Sequence, residues 1–471
     1  MESKDEVVQC AEVYDDSDSE FGGCEARKLL ERKFIAKLDL RMSILVIIYI
    51  LNYIDRNNAS AARLRGLQTD LNLQGQEFAT LLSILYVGYV IMQVPSNMFM
   101  NYVGRPSIYL PACMIVWGVI SILTGDFVGA LLTRFFLGFV EAAFFPGSLF
   151  LISKWYKRNE VGFRTALLYC GNIISNAFGA LIASGILNDM QGKLGDAAWR
   201  WLFYIEGSLT VVVAICAIFI LPDFPHNTRW LSDQERRLAI KRMEEDAATS
   251  DPDEAGQASG LWLALTDWRV WWFAFAMCSQ IVAVSFNMFF PTLSATMGFN
   301  PTVTLLLCAP PFIFTAIFAF FYSRVSDSTG QRFNYIAGSE VVGIVGFIIA
   351  MSTMNTAARY VSLFLMAQSY GGLIVFYAWM SNSFYWPASK RAVSIAFINA
   401  FSQLGNIAGS YIWPSNWGPS YRYSYGICIA TSGLSILMCW IFKEHLASLN
   451  RRLDREEDAH GANKKGFRYL L

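Results

Sequence analysis

The chain has 471 residues, of which 54% are apolar and only 16% are charged, and its formal net charge is zero. A soluble protein carries about 25% charged residues, whereas runs of about 20 apolar residues recur along most of this chain, as in a polytopic membrane protein. No basic block with interleaved aromatic residues occurs in the sequence, so we expect no nucleic-acid partner.

Residues 1–38 form a polar segment that is acidic at first and then basic. The segment has no early apolar core, so we expect no cleavable signal peptide, and the first span acts as the insertion signal. We expect the segment to be disordered at its start and helical where it meets the membrane.

Twelve apolar stretches follow, each long enough to cross a hydrocarbon core of about 30 Å. Because helices satisfy every backbone polar group inside lipid, we predict an all-α polytopic fold. The predicted spans are residues 39–61, 77–100, 107–124, 127–152, 164–188, 200–221, 269–291, 302–325, 333–354, 359–381, 391–413 and 423–442.

The longest interruption follows the sixth span and contains a short amphipathic helix, in which Ser232 and Glu235 have the spacing of a capping box. This arrangement predicts two six-helix bundles joined by a surface linker. The predicted regions are an N-terminal tail (1–38), an N-terminal six-helix bundle (39–221), a central loop (222–268), a C-terminal six-helix bundle (269–442) and a C-terminal tail (443–471).

Basic residues in the loops indicate the orientation. With both termini in the cytoplasm, the inward loops between spans carry fifteen Lys and Arg residues and the outward loops carry six. Because cytoplasmic loops hold the excess of basic residues, we predict cytoplasmic termini, and we expect the plasma membrane as the location.

Charged residues occur inside two spans of the first bundle. Asn52, Asp55 and Arg56 share one face of the first span, and Arg134 and Glu141, seven residues apart, share one face of the fourth. A charge at the bilayer centre costs about 2.5–3.5 kcal/mol, so each is expected to serve a cavity or a partner.

Two interpretations of these charges stay open. In the first, Asp55 and Glu141 are proton-coupling acids, and Arg56 or Arg134 binds a carboxylate substrate, because a guanidinium matches two oxygens at once. In the second, the four residues form a buried ion-pair network that locks the first span to the fourth. We expect the two other intramembrane acids, Glu206 and Glu340, to have structural roles.

The second bundle presents amides and aromatic rings and few charges. Amides hydrogen-bond polar groups and aromatic rings stack on other rings, so this bundle is expected to bind the part of the substrate other than its carboxylate. The alternative role of such residues is to hold helices together. The candidates there are Gln280, Asn287, Tyr370, Tyr377, Asn399, Gln403 and Asn406, and the second span adds Tyr86, Tyr89 and Gln93.

Five stretches carry a resemblance to a known family. They are Leu51-Asn52-Tyr53-Ile54-Asp55-Arg56-Asn57-Asn58, Val87-Gly88-Tyr89-Val90 with Val94-Pro95-Ser96-Asn97, Arg134-Phe135-Phe136-Leu137-Gly138-Phe139-Val140-Glu141-Ala142 with Phe145-Pro146-Gly147, Trp199-Arg200-Trp201-Leu202-Phe203 with Glu206-Gly207, and Lys390-Arg391-Ala392 with Leu404-Gly405-Asn406-Ile407-Ala408-Gly409.

On these stretches, covering roughly residues 39–442, the chain resembles carriers of the major facilitator superfamily. It is most similar to the anion:cation symporter branch and its fungal allantoate/nicotinate/pantothenate permeases. The resemblance implies the major facilitator fold, coupling roles for Asp55 and Glu141, and anion contact for the paired arginines. Gly104-Arg105 departs from the family's usual Gly-Pro-Arg, and the fifth span lacks the proline of drug:proton antiporters.

The sequence therefore predicts proton-coupled symport of a small organic anion, a vitamin or nitrogen-source carboxylate, by alternating access. The alternatives are an exporter of a small acidic metabolite and a nutrient sensor that does not transport. We expect no enzymatic activity, because no nucleophile elbow, P-loop or zinc-protease motif occurs. We expect no metal or cofactor, and a monomer whose partners are the anion, protons and the lipid bilayer.

Overall fold

The computed structural model describes residues 21, 23–124, 126–228, 230–248, 262–384, 388–459 and 468–470. Within these ranges twelve long helices follow one another along the chain. They are α1 Cys24–Ala62, α2 Glu77–Val103, α3 Pro106–Ile122, α4 Phe127–Trp155, α5 Arg158–Asp189, α6 Ala198–Ile220, α7 Trp268–Ala295, α8 Pro301–Thr329, α9 Arg332–Ser352, α10 Thr356–Ser383, α11 Ala388–Ser410 and α12 Arg422–Ala459.

Three of these helices are interrupted. Helix α4 is broken after Glu141, α7 contains the 3-10 segment Val284–Phe289, and α10 is broken after Ala367. Short helical turns, Arg63–Arg65, Leu67–Asp70, Lys193–Gly195 and Ser415–Trp417, lie in the connections.

Eight helices, α4 to α10 and α12, are long and apolar enough to cross a membrane by length and hydropathy alone. Helices α2 and α3 contain shorter apolar stretches, Glu77–Gln93 and Pro106–Ile122. Helices α1 and α11 carry the charged and amide side chains described below, which lower their hydropathy.

The helices begin close to the predicted positions, with two extensions. Helix α1 begins at Cys24, inside the predicted tail, and α12 continues past residue 442 to Ala459. Both extensions are polar, and that of α1 is held by ion pairs outside the membrane. The acidic start of the predicted tail, residues 1–20, lies outside the described residues.

The helices pack as two groups, α1–α6 and α7–α12. Glycines allow the closest crossings. A Cβ atom on Gly138 of α4 would overlap the Leu85 carbonyl oxygen of α2, and Gly118 of α3 lies against Gly207 of α6 in the same way. The two groups meet mainly along α5 with α8 and along α2 with α11, so the interface between them runs through the middle of the molecule.

The two groups of helices are sealed together at one membrane face. Because twelve helices alternate in direction, α1 begins and α12 ends at the same face, here called the terminal face. At the opposite face, hydrogen bonds join α1 and its following turn, α2 and α5 to the second group. The pairs are Ser60 with Met288, Arg63 with Ser415, Arg65 with Thr302, Thr80 and Ser83 with Tyr411, and Ser184 and Asn188 with Thr302.

The central loop packs against the first group through ion pairs. Its helix Asp233–Ala248 begins with the predicted capping box, since Ser232 and Glu235 hydrogen-bond each other in both directions. Arg242 of this helix is fully buried and pairs with Glu31 of α1 and Glu160 of α5. The loop helix and the start of α1 therefore form one unit with the first group.

Asp267 ties the second group together at the terminal face. It caps α7, accepts hydrogen bonds from Arg269, and pairs with Lys390 of α11 at 2.6 Å. Burial opposes the charge, but the hydrogen bonds from Arg269 and Lys390 outweigh it and lower the pKa of Asp267 to about 2.

Candidate functional site

A cavity lies between the two groups of helices, at the level where the charged residues of α1 occur. The void, including the part that opens to solvent, measures about 960 Å³. Seven tyrosines contribute to its walls: Tyr49, Tyr53, Tyr86, Tyr89, Tyr169, Tyr370 and Tyr377.

On the side towards the terminal face, the rings of Tyr169 and Tyr377 touch across the two groups, with centroids 4.9 Å apart. The central cavity is thus bounded by one aromatic contact on that side and by the hydrogen-bonded seal on the other.

Nine of the thirteen residues predicted to bind substrate line this one cavity. They come from both groups of helices, although some are far apart in sequence. They are Arg56, Tyr86, Tyr89, Asn287, Tyr370, Tyr377, Asn399, Gln403 and Asn406.

The three amides of α11 form a ladder along the cavity wall. Asn406 donates to the side chain of Gln403 at 2.9 Å, and the Gln403 side chain donates to the backbone carbonyl of Asn399 at 3.5 Å. A ligand therefore meets the side chains of Gln403 and Asn406 already oriented, which limits the side-chain entropy that is lost on binding.

Arg56 is the cationic group of the cavity, and it is shared with Glu141. Its Nε atom donates to Glu141 Oε2 at 2.7 Å, and Glu141, only 1% exposed, lies behind it and does not line the cavity. The guanidinium also stacks on the rings of Tyr53 and Tyr89, at 5.0 and 4.6 Å. The guanidinium is thus shared between the buried Glu141 carboxylate and the cavity.

Asp55 points away from its neighbour Arg56. Successive residues on a helix are about 100° apart, and Asp55, which is fully buried, accepts a hydrogen bond from Thr210 of α6 at 2.9 Å. Its second oxygen, Oδ1, is buried without a hydrogen-bond partner among the described residues. Asp55 is therefore a buried acid beside the cavity wall rather than part of it.

Arg134 binds the backbone of α1 and does not line the central cavity. Its Nη1 atom donates to the backbone carbonyls of Asp55 and Arg56, at 3.3 and 3.0 Å, and its Nη2 atom donates to the side chain of Asn58. No carboxylate among the described residues is within ion-pair distance of it. Of the two arginines predicted to bind the anion, only Arg56 lines the central cavity.

Three other predicted residues lie outside the cavity because neighbouring helices cover them. Asn52 is buried beside Glu141, and Gln93 is buried in α2. Gln280 of α7 donates to Glu340 of α9 at 2.8 Å. This hydrogen bond joins the two helices, which agrees with the structural role expected for Glu340.

Several cavity residues were missed by the sequence reasoning. Tyr49 and Tyr53 precede Arg56 by seven and three residues, a helical spacing that could have placed them on its face. Tyr169 and Asn172 of α5 and Ser285 of α7 also line the cavity. These residues are uncharged, so the sequence did not distinguish them from polar residues that hold helices together.

The site thus offers one guanidinium with an exchangeable carboxylate partner, rings on several sides and an amide ladder opposite. A carboxylate can replace Glu141 at Arg56, and a flat or polar body can rest against the rings and amides.

The chain is similar in sequence to known transporters. The family model described as Major Facilitator Superfamily matches residues 45–410. The MFS-type transporter cnsO of Penicillium expansum is 30% identical, over 89% of this chain and 83% of its own length. The major facilitator-type transporter hxnP of Emericella nidulans is 29% identical, over 91% and 88%. A protein of Agrobacterium vitis that has been named for tartrate transport is 30% identical, over 81% and 87%.

Solved structures share the fold at low sequence identity. A bacterial homologue of the human lysosomal transporter Spinster, in an inward-facing and occupied conformation, matches with a TM-score of 0.65 and 16% identity, over 86% of this chain and 96% of that one. A D-xylose–proton symporter matches with a TM-score of 0.66 and 15% identity, over 86% and 97%.

Proposed function

The chain belongs to the Major Facilitator Superfamily and is a multi-pass membrane transporter, not an enzyme; from this premise, we propose that it carries a small organic anion together with protons. We place it in the anion:cation symporter branch, near the fungal allantoate/nicotinate/pantothenate permeases. The motifs of α1, α2, α4, α6 and α11 support that placement.

The Arg56–Glu141 pair carries the proposal. Arg56 lines the cavity and Glu141 is buried behind it, so an anion in the cavity competes with the Glu141 carboxylate for one guanidinium. Protonation of Glu141 removes the competitor. A proton and an anion then each favour the binding of the other, and this reciprocal coupling is what symport requires. Asp55 is a second buried acid in the same bundle.

The walls of the cavity favour a particular kind of anion. Tyrosine rings stack on a flat body, and the amides of Asn399, Gln403 and Asn406 hydrogen-bond a polar one. The similarity to a protein named for tartrate transport supports an organic acid. We therefore propose a small carboxylate of vitamin or nitrogen-source type as the substrate.

Transport proceeds by alternating access, in which the two bundles rock around the central cavity. The excess of basic residues in the loops of the terminal face favours cytoplasmic termini, and we propose the plasma membrane as the location. The hydrogen-bonded seal then closes the cavity to the outside, and rupture of the Tyr169–Tyr377 contact opens it to the cytoplasm. Both bundles of the site come from one chain, so the carrier works as a monomer.

Uptake by purified protein in liposomes tests the proposal. A panel of nicotinate, pantothenate, allantoate, biotin and tartrate is first screened for thermal stabilisation, since a ligand at 100 times its Kd stabilises by about 2.7 kcal/mol. The stabilising carboxylate should accumulate when the lumen is alkaline, and a protonophore should abolish accumulation. Uptake indifferent to the pH gradient would refute coupling, and binding without flux would favour the sensor. Accumulation only under the reversed gradient would favour the exporter.

A further inference from the structure

A second cavity lies beyond the first, towards the opposite face. We call it the outer chamber. Its void, including any part that opens to solvent, measures about 450 Å³. Residues of α1, α5, α6, α7 and α8 line it, and its one acidic lining residue is Glu206. Its walls include Ser175, Asn176, Ala183, Phe290, Leu305 and Cys308.

Three amides separate the outer chamber from the central cavity. Asn57 of α1 donates to the side-chain oxygen of Asn176 at 2.8 Å, and Asn287 of α7 donates to the same oxygen at 3.2 Å. Asn57 and Asn287 line both voids. The chamber is therefore the closed continuation of the transport path, because it leads from the site towards the seal.

The Glu206 carboxyl is a buried acceptor in the wall of this chamber. Its side chain is 3% exposed, and its Oε2 atom has no hydrogen-bond partner among the described residues. Asn287, which also lines the chamber, has an unpartnered oxygen as well. Buried polar atoms normally have partners. The Asn58 amide lines the same chamber and acts on Glu206 as a hydrogen-bond donor, but Glu206 Oε2 and the Asn287 oxygen stay without a partner among the described residues, so a further donor belongs in this mostly apolar void.

The surroundings of Glu206 supply too little positive charge for an ionised carboxylate. The charged groups that act on it are Asp55 of α1 and Arg134 of α4. Helix α3 meets α6 at Gly118, which has no side chain, and α8 presents the thiol of Cys308 to the chamber. Arg134 is bound to backbone and amide oxygens and pairs with neither acid.

In the membrane part of the first bundle, the described buried charges are three carboxyl groups and two guanidinium groups, on Asp55, Glu141, Glu206, Arg56 and Arg134. The pair of Arg56 with Glu141 is neutral. That leaves two acids against Arg134, and a buried charge without a partner is costly, so one of these acids must be neutral.

We propose that the outer chamber is a proton-binding site in which Glu206 is the neutral acid, donating its proton to water held between it and Asn287. Glu206 can then exchange its proton with the opposite face when the seal opens there, while the Arg56–Glu141 pair stays intact. Glu206 is thus a third proton-carrying group, distinct from Asp55 and Glu141. The assignment extends the proton side of the proposed function, but it stands without any anion.

Infrared spectroscopy of the full-length protein in lipid tests this assignment directly. A protonated carboxyl has a C=O stretch separate from the backbone amide bands. We expect such a band at neutral pH, a shift of that band in D₂O because the chamber holds water, and its loss at alkaline pH. Glu206→Gln should remove the band, and Glu206→Asp should keep it at a shifted frequency.

The matched control is Glu340→Gln, which makes the same change at a buried acid of the other bundle. The band of Glu206 should persist in this variant. A band that is unchanged in both Glu206 variants, or that is lost in Glu340→Gln instead, overturns the proposal, as does a band that is unmoved in D₂O. Thermal unfolding of each variant confirms that it is folded. None of these spectra depends on transport, so their failure leaves anion symport standing.

Discussion

Replacing Glu141 by glutamine should separate anion binding from proton coupling. In the wild type, an anion that binds Arg56 breaks a charged hydrogen bond of 2.7 Å between buried groups. Such a bond, charged at both ends, lies towards the upper end of about 1.5–3 kcal/mol, and a bond from the Arg56 guanidinium to a neutral acceptor lies towards the lower end. Glutamine keeps an acceptor for Arg56 but removes the charge, which leaves a difference of about 1–1.5 kcal/mol, or about tenfold in affinity.

At a pH where the wild-type Glu141 is ionised, Glu141→Gln should therefore bind the carboxylate about tenfold more tightly. The tightening of binding that the wild type shows as the pH falls should be reduced, because one of the protons that drive it is gone. Equilibrium binding of the radiolabelled carboxylate at several pH values measures both effects. In liposomes, the variant should exchange the anion but no longer accumulate it against a pH gradient.

Glu340→Gln provides the control, since Glu340 is equally buried but bonds to Gln280 in the other bundle, away from the cavity. It should bind and accumulate the anion like the wild type. The reasoning is refuted if Glu141→Gln binds more weakly than the wild type while remaining folded, or if it keeps the full pH dependence and accumulation.

Three further predictions concern packing and ion pairing. Gly138→Ala should lower the free energy of unfolding by about 1–3 kcal/mol through overpacking, whereas Gly162→Ala, whose new Cβ meets nothing within 4 Å, should be neutral or slightly stabilising in thermal denaturation. Arg134→Gln should lower the melting temperature yet leave the anion Kd within about threefold; a large loss of affinity at unchanged stability would assign Arg134 to the anion after all. Asp267→Asn should destabilise the protein at neutral pH. Because the pKa of Asp267 is lowered, the carboxylate contributes fully to the free energy of unfolding above its ordinary pKa near 3.8, and this contribution is lost as the pH falls through about 2. The melting temperatures of the variant and the wild type should therefore converge in acid, and a constant difference would rule out the Lys390 contact as the cause.

The predicted fold, twelve helices in two six-helix bundles, is confirmed, although length and hydropathy alone single out only eight of the described helices. Helix ends were less predictable where the chain leaves the membrane. The early start of α1 depends on Arg27 and Glu31, which pair with the central loop about 200 residues later. Apolar periodicity carries no information about such long-range ion pairs.

The sequence predicted which kinds of side chain form the candidate site, but not which of them line the cavity. Two charged stripes in one bundle indicated a partnership, and Arg56 and Glu141 are indeed paired. Sequence spacing could not tell which arginine lines the cavity, because that depends on how α4 is rotated against α1. Glu206 was expected to have a structural role because the sequence does not show the outer chamber, which forms only where five helices converge.

The seal at the opposite face is built from uncharged acceptors. Arg63 and Arg65 bind hydroxyl groups of Ser415 and Thr302, and no ion pair joins the two bundles there among the described residues. Salt screens attraction between opposite charges but has little effect on hydrogen bonds to neutral groups. The equilibrium between closed and open forms should therefore change little between dilute and saline surroundings, so that ionic strength at the opposite face is not a control on turnover.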